Sequence, residues 1–316
     1  MKVFNPNHPD IKKRVEQYIS ASLSLAVEFI LALPVKGTGQ NPFWKVEVAE
    51  GEKHSFIILK TFVQDSSSVS GDKQDFFREY RLLKQLETKT LKFPKVFGID
   101  EEGTALGTPS FLEESLKGRV LYNALKIKEK WAEELYIKSI IEIQNIKKED
   151  LGTVYGELNE SENTHDSFVR IKKELFLLSK GPLLTLVLKK LTDDQPPFIQ
   201  PCFGNGDFNP KNFLAKDKIL TGILKFETAG FFDPLYQFLL PLEKYPLLKN
   251  RGLEEAYCKE KGLKNIIIDW YYGLILAAKL LEALIIEEKG ETPANQEINN
   301  KEDILARLSK WVKSTK

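Results

Sequence analysis

Residues 204–234 read GNGDFNPKNFLAKDKILTGILKFETAGFFDP, and this stretch decides the fold. Short apolar runs alternate in it with turn residues, a pattern that predicts short strands joined by tight loops. Asp207 and Asn212 lie in the loop between the apolar run 198–203, itself predicted as a strand, and a pair of predicted strands. This spacing allows both polar side chains to point into one cleft. Lys225 is a cation at the end of the last of these strands.

The chain length favours two domains, because single domains usually contain about 100–200 residues and this chain has 316. Strand-like segments dominate residues 1–115, which we predict as a β-rich N-terminal domain with one main helix at 74–86. Helical spacing of apolar residues dominates residues 116–316, which we predict as a mostly helical C-terminal domain. The fold class expected from this pattern is α+β.

Charge and composition exclude several classes of partner. The chain has 46 Lys and Arg against 45 Asp and Glu, a balance that argues against a nucleic-acid partner. The apolar run 266–286 contains Asp269, Lys279 and Glu282, which argues against a membrane span. Two cysteines give neither a disulfide framework nor a metal cluster, and the first residues lack the apolar core of a signal peptide. We therefore expect a cytoplasmic protein.

A glycine-containing loop lies between two predicted strands of the N-terminal domain. It contains Gly37 and Gly39 and ends at Asn41. Glycine allows backbone amides to approach a phosphate closely, because it places no side chain between them. A simple hairpin turn is the alternative interpretation of the same loop.

Two charged residues follow this loop at informative positions. Lys60 interrupts the apolar predicted strand 56–62, and Glu79 lies on the predicted helix 74–86. An ion pair between strand and helix would satisfy both charges. The alternatives are that Lys60 lies on an edge strand and that Glu79 is a solvated helix residue.

The order of these parts resembles the aminoglycoside phosphotransferase and choline kinase-like family, a branch of the protein-kinase-like fold. The resemblance covers residues 25–285 and is most specific at 205–212 and 222–227. There the family has His-Gly-Asp-x-x-x-x-Asn and then an apolar pair, Asp, an aromatic residue and Glu. It implies a bilobal fold, with a small antiparallel β-sheet and one main helix in the N-terminal lobe and a larger, mostly helical C-terminal lobe.

The resemblance also implies ATP-dependent phosphoryl transfer to a hydroxyl of a small metabolite. Asp207 would accept the hydroxyl proton, Asn212 would bind Mg²⁺, and Lys60, held by Glu79, would contact the α- and β-phosphates. The residues that would contact the nucleotide are Gly37, Gly39, Asn41, Lys60, Glu79, Glu113 and Glu114. Glu227 is the further candidate magnesium ligand.

Lys225 departs from the family pattern, because the family has a magnesium-binding aspartate at this position. Two unit charges 4 Å apart interact by about 4 kcal/mol at an effective dielectric constant near 20, so a lysine should repel the metal. Three hypotheses follow. The protein is a kinase in which Glu227 or Asp233 supplies the missing carboxylate, a pseudokinase in which Lys225 itself neutralises a phosphate, or a kinase-like fold that binds another ligand or a protein partner.

Neutral amides replace three further family residues. Asn205 and Gln144 stand where the family has histidines, and Gln237 replaces an acidic residue. The acceptor is not specified by the sequence, and a sugar, an amino alcohol or an amino-acid hydroxyl fits equally. Aromatic residues such as Trp270 and Tyr271 either line a pocket for an ammonium group or belong to the core.

Overall fold

A computed structural model describes residues 4–35, 42–62, 73–160, 164–179, 181–245, 247–248, 252–264, 267–290 and 301–314. The predicted phosphate loop with Gly37, Gly39 and Asn41 lies outside the described residues. The chain forms two compact units: a first unit of Met1–Asn123, Ile146–Leu158 and Lys211–Ala229, and a second unit of Ala124–Asn145, Asn159–Pro210 and Gly230–Lys316. The predicted division into residues 1–115 and 116–316 stays a prediction.

The first unit is built on a five-stranded antiparallel sheet with strand order β1-β2-β3-β5-β4. Its strands are β1 (Glu28–Val35), β2 (Phe43–Glu50), β3 (Lys53–Thr61), β4 (Val96–Asp100) and β5 (Ser110–Glu114). On β3, Ile57 and Leu59 are buried, and Lys60 points to the opposite face because side chains alternate along a strand. Lys60 pairs across the sheet with Phe43 on β2 and Phe111 on β5. It therefore lies on the central strand, and the edge-strand alternative is wrong.

Two helices complete the framework around this sheet. Helix α1 (Pro9–Leu23) begins after the N-cap His8, and its buried Val15 and Ile19 join the core of the sheet. Helix α2 (Lys73–Leu86) packs against a 3-10 helix, Lys148–Glu157. These contacts fix the helix that carries Glu79.

Six shorter strands follow the main sheet: β6 (Arg119–Val120), β7 (Asn159–Glu160), β8 (Cys202–Gly204), β9 (Phe213–Lys216), β10 (Ile219–Ile223) and β11 (Gly230–Phe232). The order β10-β9-β6 forms a small sheet in the first unit, and the order β7-β11-β8 forms another in the second unit. The strand predicted from Phe198 is wrong in extent, because β8 begins only at Cys202 and Phe198 is 51% exposed. Prolines at 196, 197 and 201 explain why the strand begins later, since proline has no N–H to donate to the hydrogen bonds between strands.

Helices account for most of the remaining chain: α3 (Leu121–Lys126), α4 (Lys130–Gln144), α5 (Thr164–Leu178), α6 (Pro182–Asp193), α7 (Pro234–Lys244), α8 (Leu253–Lys261), α9 (Ile267–Lys289) and α10 (Lys301–Lys313). Trp270 and Tyr271 are each 2% exposed, so these two aromatic residues belong to the core of the second unit. Across the described part of the chain, none of the helices combines the length and the apolar character needed to cross a membrane. The predicted α+β class is confirmed.

Candidate active site

Lys60 is the central cation of the candidate site. Its Nζ atom lies 2.8 Å from both carboxylate oxygens of Glu79 and 2.9 Å from Oε2 of Glu113. The rings of Phe43 and Phe111 lie 5.8 and 5.4 Å from the same atom, measured to their centroids. Aromatic faces attract a cation, and the Lys60 side chain is only 14% exposed. The predicted ion pair between strand and helix is present, and a second carboxylate joins it.

Lys60 is one cation among three acidic side chains. Burial disfavours the charged form of Lys60, but Glu113, Glu79 and Glu227 together raise its pKa above the ordinary value. Burial raises the pKa of Glu79, and the negative charge of Glu113 adds to this while Lys60 opposes it. Lys60 is thus a permanent positive charge that several acids share.

The carboxylate of Glu79 also holds a backbone segment in place. Its Oε1 atom accepts a hydrogen bond of 3.3 Å from the backbone N–H of Phe226. The neighbouring Arg78 donates from Nη2 to the backbone carbonyl of Glu227 at 3.0 Å. Two consecutive residues of α2 therefore fix the segment that follows β10.

Lys225 lies within this segment and has a left-handed backbone, with φ of 65°. Such a conformation is uncommon for a residue other than glycine and persists only where its surroundings hold it. The backbone N–H of Leu224 donates to the carbonyl of Asn212 at 2.8 Å, and Phe226 is bonded to Glu79 on the other side. Hydrogen bonds on both sides thus hold the backbone around Lys225, the residue at the predicted metal position.

The described residues do not fit a carboxylate-rich magnesium site. Mg²⁺ prefers oxygen ligands, carboxylates above all, yet the described ranges contain no group of three or more His, Cys, Asp or Glu side chains that could hold a metal ion. Burial raises the pKa of Glu227, and the charge of Glu79 raises it further. Glu227 and the buried Asn212 remain the predicted ligand pair. The positive charge of the neighbouring Lys225 would repel a metal ion bound to them.

Asp207 lies in a turn of the second unit that is stabilised by its own side chains. Asn205 accepts a hydrogen bond from the Asp207 N–H at 3.3 Å and donates to the Asp207 carbonyl at 3.2 Å. The Asp207 carboxylate accepts from the Asn209 N–H at 3.1 Å, and Tyr136 donates to the carbonyl of Phe208. Asn205 therefore braces the backbone that presents the Asp207 carboxylate.

Asp233 has a structural role, because four donors use its carboxylate. Oδ1 accepts from the N–H groups of Leu235 and Tyr236 at 3.0 Å each and caps α7. Oδ2 accepts from the hydroxyls of Thr164 at 2.5 Å and Tyr271 at 2.6 Å. A carboxylate has about four lone-pair sites, so Asp233 is not a substitute for the missing metal ligand.

The neutral amides belong to a tightly packed network in the second unit. Gln144 donates to the Pro234 carbonyl at 3.2 Å and accepts from the Tyr257 hydroxyl at 2.7 Å. A Cβ atom at Gly204 would lie 2.0 Å from the side-chain oxygen of Gln237, so Gln237 would have to move to admit a side chain there. Histidines or acids at these positions would need different partners.

Sequence reasoning missed the contact between Lys60 and Glu113, and it missed the two phenylalanines beside Lys60. The signal that could have found them is the pairing of β3 with β5, which places Lys60 opposite Phe111. Glu113 is two residues further along β5 on the same face as Phe111, within reach of a long side chain. Glu114 is directed elsewhere, and its carboxylate accepts a hydrogen bond from the Lys95 N–H at 3.3 Å.

Comparison with known proteins relates this chain to one family. The sequence model of the phosphotransferase enzyme family matches residues 41–244. No curated protein sequence matches the chain.

Solved structures with a similar fold include aminoglycoside phosphotransferases. A candidate aminoglycoside phosphotransferase of Ralstonia eutropha JMP134 is 14% identical, with a TM-score of 0.67 over 96% of this chain and 99% of that chain. A single-residue variant of aminoglycoside 2'-phosphotransferase IIIa, in complex with GDP, is 16% identical, with a TM-score of 0.63 over 95% and 97% of the two chains. A thermostable variant of APH(4)-Ia, with ADP and hygromycin B bound, is 11% identical, with a TM-score of 0.58 over 94% and 97%. At these identities the likeness establishes the fold, and the predicted kinase-like fold is confirmed.

Proposed function

Because the chain belongs to the phosphotransferase enzyme family, we propose that it binds ATP and transfers the terminal phosphoryl group to a hydroxyl of a small molecule. The observation that carries this proposal is the buried pair of Lys60 and Glu79, with Nζ 2.8 Å from both carboxylate oxygens. Phosphoryl transfer depends on positioned charge more than on covalent chemistry. A lysine held rigidly in a buried setting is the kind of group that such positioning requires.

Each proposed role follows from the chemistry of the side chain. Lys60 contacts the α- and β-phosphates, and Asp207 orients the acceptor hydroxyl and accepts its proton. The acceptor oxygen forms a bond to the terminal phosphorus while the bond to the bridging oxygen breaks, and ADP leaves. Because the described residues do not fit a carboxylate-rich magnesium site, we assign no step to a metal ion.

The proposed acceptors are sugars, amino alcohols and hydroxy amino acids, which the sequence leaves open. Three structural neighbours have hygromycin B bound, and others are described as aminoglycoside phosphotransferases. Aminoglycosides are polycations, and the net charge of +1 on this chain gives them no general attraction. Sugars, amino alcohols and hydroxy amino acids therefore rank before aminoglycosides.

A second candidate function is nucleotide binding without transfer. Lys225 favours it, because a lysine at the metal-binding position repels a divalent cation and can neutralise a phosphate charge in its place. The two functions differ in their outcome. Transfer consumes ATP and yields ADP and a phosphorylated acceptor, whereas the second candidate leaves the bound ATP intact and requires equal or tighter binding without Mg²⁺.

The test is a transfer assay with ATP and a panel of sugars, amino alcohols, hydroxy amino acids and aminoglycosides, with ADP release and product mass as readouts. Asp207→Asn should abolish transfer and keep ATP affinity within about threefold. Asp217→Asn is the matched control, because Asp217 lies in an exposed turn with φ of 53°. ATP binding without any product supports the second candidate, and the absence of ATP binding contradicts both functions.

A further inference from the structure

Glu113 contacts Lys60 inside the candidate site. Neither the family resemblance nor the proposed function explains this contact. Its side chain is 7% exposed, and Oε2 lies 2.9 Å from Lys60 Nζ. The same oxygen has no hydrogen-bond partner, so the contact with Lys60 is an ion pair outside hydrogen-bond geometry. Glu113 is thus a buried side chain that shares the Lys60 cation with Glu79.

Two of the three donors of Lys60 are already in use. An ammonium group has three N–H donors, and two of the contacts of Lys60 Nζ are hydrogen bonds to the two oxygens of Glu79. A phosphate oxygen that takes the third donor must therefore compete for Lys60 with Glu113 Oε2, which lies 2.9 Å from the same nitrogen. Glu79 is also held by the Phe226 N–H, so Glu113 has the weaker attachment and is the group that gives way.

Displacement of Glu113 has an electrostatic cost. A buried carboxylate without its cation is unfavourable, and the arriving phosphate places further negative charge beside it. Glu79 on α2 and the Glu227 side chain already add negative charge around Lys60, and Lys225 partly offsets the charge of Glu227. The cost rises with the number of phosphate charges and is absent for an uncharged nucleoside.

We propose that Glu113 is a specificity-determining residue that competes with phosphate for Lys60 and so disfavours ligands with a highly charged phosphate chain. This inference rests on the proposed nucleotide binding and deepens it. Glu113 on β5 would thus select ligands by their charge, whereas Glu79 holds Lys60 in position.

The test compares ADP and adenosine binding to the unaltered full chain and to Glu113→Gln by titration calorimetry without metal. Glutamine keeps the size of glutamate and removes the charge, so ADP should bind about tenfold more tightly or better to Glu113→Gln. Adenosine affinity should change by less than about twofold, because adenosine carries no phosphate. Glu87→Gln is the control, since Glu87 forms its ion pair with Lys84, at 3.0 Å, and it should change neither affinity.

Unchanged or weaker ADP binding to Glu113→Gln would overturn the inference, and so would an equal gain for adenosine and ADP. If ADP and adenosine bind to neither protein, the proposed function itself fails, and the inference fails with it. Glu113→Asp provides a second variant, because it keeps the charge and shortens the side chain by one methylene. It should raise ADP affinity less than glutamine does, and a gain as large as that of glutamine would show that charge is not the cause.

Discussion

Lys60 Nζ on β3 lies 2.8 Å from each carboxylate oxygen of Glu79 on α2. The same carboxylate accepts a hydrogen bond from Phe226, 147 residues further along the chain than Glu79. Three separate segments of the first unit therefore meet at one ion pair. Substitutions at this pair report on how these three segments assemble.

Lys60→Met should destabilise the fold by about 3 kcal/mol, because it leaves Glu79 and Glu113 buried without their cation. Urea unfolding at pH 7 measures this loss. Adding Glu79→Gln and Glu113→Gln to the same protein should restore most of it, since no buried charge then lacks a partner. An unaltered midpoint in Lys60→Met would mean that the pair contributes nothing to stability.

Glu227→Gln should change the pH dependence of stability. Burial and the charge of Glu79 raise the pKa of Glu227, so the native state binds this proton more tightly than the unfolded state does. The resulting stability is complete below the unfolded pKa of about 4.3 and is lost as pH rises through the native pKa. Glutamine does not titrate, so the free energy of unfolding of Glu227→Gln relative to the unaltered chain should increase from pH 4.5 to pH 7.5. A difference that is constant with pH would contradict the raised pKa.

Lys225→Asp should make ATP binding depend on Mg²⁺, because it replaces a repulsive charge with a metal ligand. The fold should tolerate the change, since aspartate adopts a left-handed backbone more readily than most residues. Lys218→Asp is a close control, because Lys218 is exposed and has φ of 64°, against 65° for Lys225. The comparison is the ratio of ATP affinities with Mg²⁺ and with a chelator. An equal ratio in all three proteins would argue against a metal-related role for this position.

Asp233→Ala should destabilise the chain by about 2–4 kcal/mol, since four hydrogen bonds at about 1 kcal/mol each lose their acceptor. Tyr271→Phe removes one of these bonds and should cost about 1 kcal/mol. Chemical unfolding of both variants tests the values. The Mg²⁺ dependence of ATP binding should be the same in folded Asp233→Ala as in the unaltered chain, and a change there would restore Asp233 as a metal ligand.

The sequence predicted the pair of Lys60 and Glu79 because strand periodicity and chain order are local signals. The contact between Glu113 and Lys60 could not be predicted in the same way. It depends on how β3 pairs with β5, and the register of two strands is set by non-local packing. The strand expected from Phe198 failed for a local reason, because prolines interrupt the apolar run. The role of Asp233 required the structure, since Thr164 and Tyr271 are far from it in sequence.

The central claim is that Lys60 binds the phosphates of a nucleotide. ATP titration of the unaltered chain and of Lys60→Met, each with Mg²⁺ and with a chelator, tests it most directly. The account predicts saturable ATP binding to the unaltered chain in at least one condition and a loss of about tenfold or more in affinity in folded Lys60→Met. Equal affinity of the two proteins, or no ATP binding to the unaltered chain in either condition, would contradict it.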